Sequence, residues 1–117
     1  MDEGRPIFLQ IAERIENDIL SGALREESQV PSTNELAMFH RINPATAGKG
    51  INLLVDEGIL YKRRGIGMFV ADGAKERISA RRRDGFVAEY IAPLLVEARS
   101  LGITAQQLIG LIQKETS

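Results

Sequence analysis

Ile59-Leu60-Tyr61-Lys62-Arg63-Arg64-Gly65-Ile66-Gly67-Met68-Phe69-Val70 sets branched and aromatic residues on both sides of a basic, glycine-containing centre. That composition predicts a β-hairpin, with glycine supplying the positive φ of a tight turn at Arg64-Gly65-Ile66-Gly67. The tip is basic and nearly free of side chains. On its N-terminal side, Asn43-Pro44 reads as a helix cap followed by proline at the first helical position, opening a third helix from Pro44 to Glu57 that stops at Gly58. At about 100° per residue, Ala47, Ile51, Leu54 and Val55 share one face and Ala45, Lys49, Asn52 and Asp56 the other. Gly48 and Gly50 each cost about 1 kcal/mol against alanine in a helix interior, which predicts close approach of another backbone, from protein or DNA. Leu53 falls outward and points to a partner surface.

Further upstream, Ser32-Thr33-Asn34-Glu35 has the pattern of a capping box, in which hydroxyl and carboxylate each accept from the other residue's backbone amide. It predicts a short second helix that buries Leu36, Ala37 and Phe39 and turns at Arg41 and Ile42. Before it, Gln29-Val30-Pro31 reads as an extended link, since the residue ahead of a proline is pushed out of the helical region. The first helix is predicted from Pro6 to Leu20. There Ile7, Ile11, Ile15 and Ile19 form one row, Phe8, Ala12 and Leu20 widen it, and Gly22 is a left-handed stop.

Downstream of Asp72-Gly73-Ala74 the pattern is helical again. Phe86, Tyr90 and Leu94 lie on one row and Val87, Ile91, Leu95 and Ala98 on the next, a stripe wide enough to want more than one neighbour. Pro93 removes an amide that would have bonded to the Glu89 carbonyl, so a kink or break is predicted. Thr104-Ala105-Gln106-Gln107 is a second capping box, with Ile103 and Leu108 as a hydrophobic staple, opening a last helix through Leu108, Leu111 and Ile112. The predicted class is mainly α with a small β-hairpin. It comprises a winged helix-turn-helix over residues 1–73 and a two-helix segment over 74–117.

Composition narrows the function. The chain has 117 residues, no cysteine and one histidine. One small core with an appendage, completed by a second subunit, fits that length, and a catalytic domain plus a sensor domain does not. Without cysteine there is no thiolate metal site, and His40 alone builds no metal centre, so neither metal nor cofactor is expected. His40 reads as a surface or half-buried side chain. No Ser/His/Asp set, paired carboxylates at a glycine elbow or P-loop argues for an enzyme. The acidic start Met1-Asp2-Glu3-Gly4 leads straight into the first helix, and no apolar run reaches the roughly 18 residues of a membrane span. A cytoplasmic protein is the expectation.

Charge is unevenly spread. The formal net charge is -1, yet residues 1–40 carry -5, residues 41–83 carry +6 and residues 84–117 carry -2. A basic middle in a slightly acidic chain suggests a footprint for double-stranded DNA, though a solvated charged face has the same composition. Arg81-Arg82-Arg83 extends that footprint, binds acidic surface on a second subunit, or solubilises a helix.

Residues 6–71 resemble the DNA-binding domain of GntR-family transcriptional regulators. The resemblance rests on Gln10-Ile11-Ala12, Ile19-Leu20-Ser21-Gly22, Val30-Pro31-Ser32, Glu35-Leu36-Ala37, Glu57-Gly58-Ile59-Leu60 and Arg64-Gly65-Ile66-Gly67-Met68-Phe69-Val70. The tail is similar to that of the YtrA-type subfamily, which implies a short helical dimerisation segment, here with Phe86, Val87, Tyr90, Ile91, Leu94, Leu95, Leu108, Leu111 and Ile112 as the pairing residues. Two family arginines are missing. Asn34 stands where many members carry arginine, and Asn43-Pro44-Ala45-Thr46-Ala47-Gly48 replaces a Ser-Arg-Thr-Thr-Val-Arg opening.

In this arrangement the amides at the starts of helices two and three, with Ser32, Thr33, Asn34 and Thr46, bind phosphates at positive helix ends. Asn43, Ala45, Thr46 and Lys49 enter the major groove, with Arg41 as a substitute for the missing arginines. Lys62, Arg63, Arg64 and the Gly65-Ile66-Gly67 tip lie along the backbone or minor groove. Two classes result: a homodimeric repressor on an inverted-repeat operator, or a winged-helix module that binds another protein through Leu53 and the apolar tail. A small-molecule effector would sit at the dimer junction or between tail and wing.

Overall fold

The computed structural model describes residues 4–117. The acidic start at Met1-Asp2-Glu3 lies outside those residues. Three helices come first: α1 (Ile7–Ser21), α2 (Thr33–His40) and α3 (Pro44–Asp56). A hairpin follows, β1 (Leu60–Arg63) and β2 (Gly67–Val70), and then α4 (Ala74–Phe86), a π-helical turn (Val87–Ile91), α5 (Ala92–Ser100) and α6 (Ala105–Thr116). The chain divides into two compact units, the first ending at Ala80 and the second spanning Arg81–Ser117.

In the first unit α1 and α2 both pack on α3. Ile11, Ile15 and Ile19 from α1 meet Leu36 and Ala37 from α2 and Ala47, Ile51 and Leu54 from α3 in one buried cluster, closed by Ile59, Leu60 and Val70. Ile7, the first of the predicted α1 row, stays at the rim, 42% exposed. α1 starts one residue later than predicted because Pro6, with ψ 136°, is its cap, and Gly22 ends it at φ 88°. The core continues past the predicted boundary at residue 73. Ala74 and Ile78 of α4 are fully buried with it, and the Arg77 guanidinium donates to the Gly58 carbonyl at the end of α3.

Two predicted side-chain placements are corrected. Phe39 is 75% exposed, its ring edge-on to His40. The inward arc of this eight-residue helix is centred between Leu36 and Ala37, and Phe39 lies about 110° from that direction. Leu53 does not face outward. It is half-buried against the core, on the flank of α3 about 110° from the buried face, where arithmetic on a single helix misses neighbouring elements.

Gly50 and Gly48 separate cleanly. A Cβ on Gly50 would lie 2.8 Å from the Phe8 carbonyl oxygen and 3.3 Å from the Ile11 Cβ, so α1 crosses α3 at a point where only hydrogen fits. A Cβ on Gly48 would meet only the Thr33 methyl, at 3.6 Å. Gly50→Ala is therefore expected to lower the melting temperature, since overpacking against backbone costs about 1–3 kcal/mol and outweighs the gain in helix propensity. Gly48→Ala should raise it, by roughly the propensity difference of about 1 kcal/mol. Thermal unfolding of the two variants checks both signs, and a rise for both would remove close packing as the reason for Gly50.

The extended link does more than connect. Val30 donates to the Met68 carbonyl at 2.9 Å, Val70 to the Ser28 carbonyl at 2.9 Å and Glu27 to the Val70 carbonyl at 2.8 Å. Segment 27–30 thus lies along β2 as a third, irregular strand.

In the second unit Pro93 neither breaks the helix nor leaves it regular. The π-helical turn Val87–Ile91 immediately precedes α5, with Ala92 donating to the Val87 carbonyl, so the missing proline amide is accommodated by one wide turn and the helix continues to Ser100. The second capping box forms as predicted, Gln107 donating to Thr104 Oγ1 at 3.2 Å and Thr104 to Gln107 Oε1 at 2.9 Å.

Candidate nucleic-acid interface

The start of α2 is held by its own side chains. The Glu35 amide donates to Ser32 Oγ at 3.1 Å, and the Ser32 amide donates to Glu35 Oε1 at 3.0 Å. Hydrogen bonds from the Ser32 amide first, and then from the Ser32 side chain, hold the Glu35 carboxyl below the usual carboxylate range. The depressed carboxylate stabilises the cap above the ordinary pKa of about 4, and that contribution is lost as the pH falls through the lower folded-state value. Glu35→Gln, which keeps the box, is expected to flatten the acid side of the stability curve in a pH series of melting temperatures.

The start of α3 is built likewise. Asn43 Oδ1 accepts from the Ala45 amide at 2.8 Å, leaving the side-chain NH₂ of Asn43 to donate outward. Ala45 and Lys49 are exposed and Thr46 is half-buried. Arg41, at the turn between the helices, is exposed and adopts φ 55° and ψ 49°. Thr33 lies against Gly48, so the first turn of α2 and the N-terminal half of α3 are adjacent.

Lys49 is not left free in solvent. Its Nζ sits 4.2 Å from the centre of the Phe8 ring, so the first turn of α1 supports a lysine of α3. At exposed sites such a contact is worth about 0.5–1 kcal/mol, enough to bias the side chain's direction. The pattern of α1 marked Phe8 only as an apolar residue widening the stripe.

The wing pairs Leu60 with Val70, Tyr61 with Phe69, Lys62 with Met68 and Arg63 with Gly67. Arg64, Gly65 and Ile66 form the tip, all exposed, with Gly65 at φ 76°. Phe69 anchors one face, with the Tyr61 ring stacked on it and the Arg63 guanidinium carbon 4.9 Å from its centre. The Tyr61 hydroxyl donates to Glu27 Oε2 at 2.6 Å, a hydrogen bond to a carboxylate that pushes the tyrosine pKa up.

Sequence reasoning missed Gln29. Its Nε2 donates to the Ile66 carbonyl at 3.0 Å, and a Cβ on Gly67 would lie 2.6 Å from that nitrogen. One side chain thus ties the wing tip to the strand-like segment that leads into the α2 cap. A bare glutamine in a loop carries no spacing signal for such a bond across 37 residues. Gln29→Ala is expected to leave the melting temperature nearly unchanged, because the residue is exposed, while the amides of Arg64, Gly65 and Ile66 drop to order parameters below about 0.6 in ¹⁵N relaxation. Order parameters that stay at the rigid level would show that the tie does not hold the tip.

In the second unit Phe86, Val87, Tyr90, Leu94, Leu95, Leu111 and Ile112 are exposed, and Ile91 and Leu108 are half-buried. Among residues 81–117 Ala98 is the one buried side chain. No helix among the described residues is long and apolar enough to cross a membrane.

Comparison with known proteins places these features in a family. The HTH-type transcriptional regulator YhcF of Bacillus subtilis is 29% identical over 105 residues, covering 90% of this chain and 85% of that protein. The HTH-type transcriptional repressor YtrA of the same organism is 28% identical over 103 residues, covering 88% and 78%. A solved GntR-family regulator from Bacteroides thetaiotaomicron superposes with a TM-score of 0.76 at 34% identity, over 94% of this chain and 96% of that one. The DNA-binding domain of AraR, solved in complex with operator ORX1, gives a TM-score of 0.56 at 33% identity, over 61% of this chain and 87% of that one. Residues 8–70, more than half of the sequence, match the description of bacterial regulatory proteins of the gntR family, and the chain belongs to that family.

Proposed function

We propose that the protein is a cytoplasmic transcriptional repressor that binds double-stranded operator DNA as a homodimer. The observation that carries this reading is the joining of three DNA-facing parts. The capped start of α2 lies against α3 at Gly48, and Gln29 ties the basic wing tip to the segment just ahead of that cap. Support comes from the AraR domain, which is similar in fold and sequence to the first unit and was solved on operator DNA. Ser32, Thr33 and Asn34 take phosphates at the positive end of α2, while Asn43, Ala45, Thr46 and Lys49, with Arg41 beside them, face base edges in the major groove. Lys62, Arg63, Arg64 and the Gly65-Ile66-Gly67 tip follow the backbone into the minor groove.

The helical tail from residue 74 pairs two copies through Phe86, Val87, Tyr90, Ile91, Leu94, Leu95, Leu108, Leu111 and Ile112. A two-fold dimer sets the paired α3 helices about 34 Å apart, which selects an inverted repeat. The competing reading, a protein-binding module, rests on an outward Leu53 and the apolar tail; Leu53 is half-buried against the core, and the exposed tail is the proposed pairing surface.

Selection of bound duplexes from a random pool at about 150 mM salt, followed by sequencing, tests the proposal, since purely electrostatic binding is weak there. Enrichment of an inverted repeat is the expected result. Recovery of an unenriched pool would overturn sequence-specific binding by the protein alone.

A further inference from the structure

Between α1 and α2, which both pack on α3, lies a cleft of about 370 Å³. Small-molecule sites begin at about 300 Å³, so it is large enough for a compact ligand. Its walls include the buried side chains Ile11, Ile15 and Leu36 and the exposed ring of Phe39. Four polar side chains also line it: Arg14 and Asp18, one turn apart on α1, and Glu35 and His40 on α2. Among the described residues neither Arg14 nor Asp18 takes part in an ion pair. Burial, and then the charge of Arg14, holds the His40 pKa below its ordinary value. With the imidazole neutral, two carboxylates face one guanidinium, and the cleft carries an excess negative charge beside an apolar, partly aromatic wall.

We propose that the α1–α2 cleft is a binding site for a small organic amine, an ammonium group carried on an aromatic or branched apolar body, and that its occupancy loosens the start of α2. The ammonium lies between Asp18 and Glu35, and the body rests on Ile11, Ile15 and Leu36 against the Phe39 ring. Phe39 adds attraction through its π face. The coupling runs through Glu35, whose Oε1 accepts the Ser32 amide in the capping box. An ammonium that draws this carboxylate competes with the cap and disturbs the turn bearing Ser32, Thr33 and Asn34. The coupling, though not the site, rests on the operator-binding reading above. By linkage, DNA weakens the amine as much as the amine weakens DNA. The site lies within the first unit, whereas the sequence placed an effector at a dimer junction or between tail and wing.

The test is a ¹H–¹⁵N titration of the full chain with phenethylamine, with phenylacetate as the anion of similar shape. Saturable shifts are expected at the amides of Arg14, Asp18, Glu35, Leu36 and His40, with a Kd of about 1 mM. The Asp18→Asn/Glu35→Gln variant should bind at least about tenfold more weakly, and because a glutamine at that helix position still completes a capping box, the fold persists. Absence of saturable shifts up to about 20 mM, equal binding of phenylacetate, or equal binding by the variant would overturn the site. Operator affinity is then measured with and without saturating amine. A weakened complex supports the coupling, whereas amine binding that leaves operator affinity unchanged overturns the coupling alone. The titration needs no DNA, so failure of the operator-binding reading is seen separately.

Discussion

Replacing Lys62, Arg63 and Arg64 together by alanine will weaken binding to every duplex by about two to three orders of magnitude at low salt and flatten the salt dependence. All three side chains are exposed, on β1 and at the tip it leads into. If each neutralises one phosphate, the slope of log affinity against log salt falls by about 2.7. The gap between parent and variant then narrows about fortyfold as salt rises from about 50 to about 200 mM. Structural damage is a small competitor. Only Arg63 covers a ring, Phe69, and an exposed cation–π contact is worth about 0.5–1 kcal/mol. Filter binding or fluorescence anisotropy over a salt series, with a melting curve for each protein, decides it. A variant with the parent's slope would take the wing out of the interface.

If the tail pairs two copies as proposed, the double substitution Tyr90→Glu and Leu94→Glu will convert dimer to monomer and cost about two to four orders of magnitude in operator affinity. The tail cannot be stable through its own interior. Among residues 81–117 Ala98 is the one buried side chain, while Tyr90 is 62% and Leu94 39% exposed. Large apolar residues left in water in this number mark an interface, and a carboxylate buried there without a partner is strongly unfavourable. A monomer engages one half-site at a time, so the second contact loses its high effective concentration and with it the avidity factor of about 10²–10⁴. Sedimentation velocity reads the first effect and operator titration the second. The first unit, through Ala80, has its own core and should keep its melting behaviour, which separates lost pairing from lost folding. A variant that stays dimeric would move the interface elsewhere.

Local chemistry made most of the first unit legible. Ser32 with Glu35, Thr104 with Gln107, Asn43 ahead of Pro44 and glycine at 22 are signals carried within a few residues, and each forms the cap or stop predicted. The hairpin was legible because Gly65 sits between branched and aromatic runs. What failed depends on neighbours distant in sequence. Phe39 and Leu53 sit about 110° from their helices' buried faces, where the neighbouring element decides burial. At Gly50 the need for space was visible, but that α1 fills it became visible only in the fold. The candidate interface divides the same way. Its cap residues and basic tip were readable, while the supports beneath them, Phe8 under Lys49 and Gln29 on Ile66, join residues 41 and 37 positions apart and leave no periodic trace.

The π-helical turn at Val87–Ile91 bears on how this helix tolerates a change of length. Such a turn holds one residue more than an α-turn over nearly the same span, so the helix on either side keeps its phase. Deleting one residue within it would close the turn back to α-helix and leave α5 and all that follows in nearly the same phase relative to α4. The turn is thus a slip joint, at which the helix gains or loses one residue without re-aiming α5.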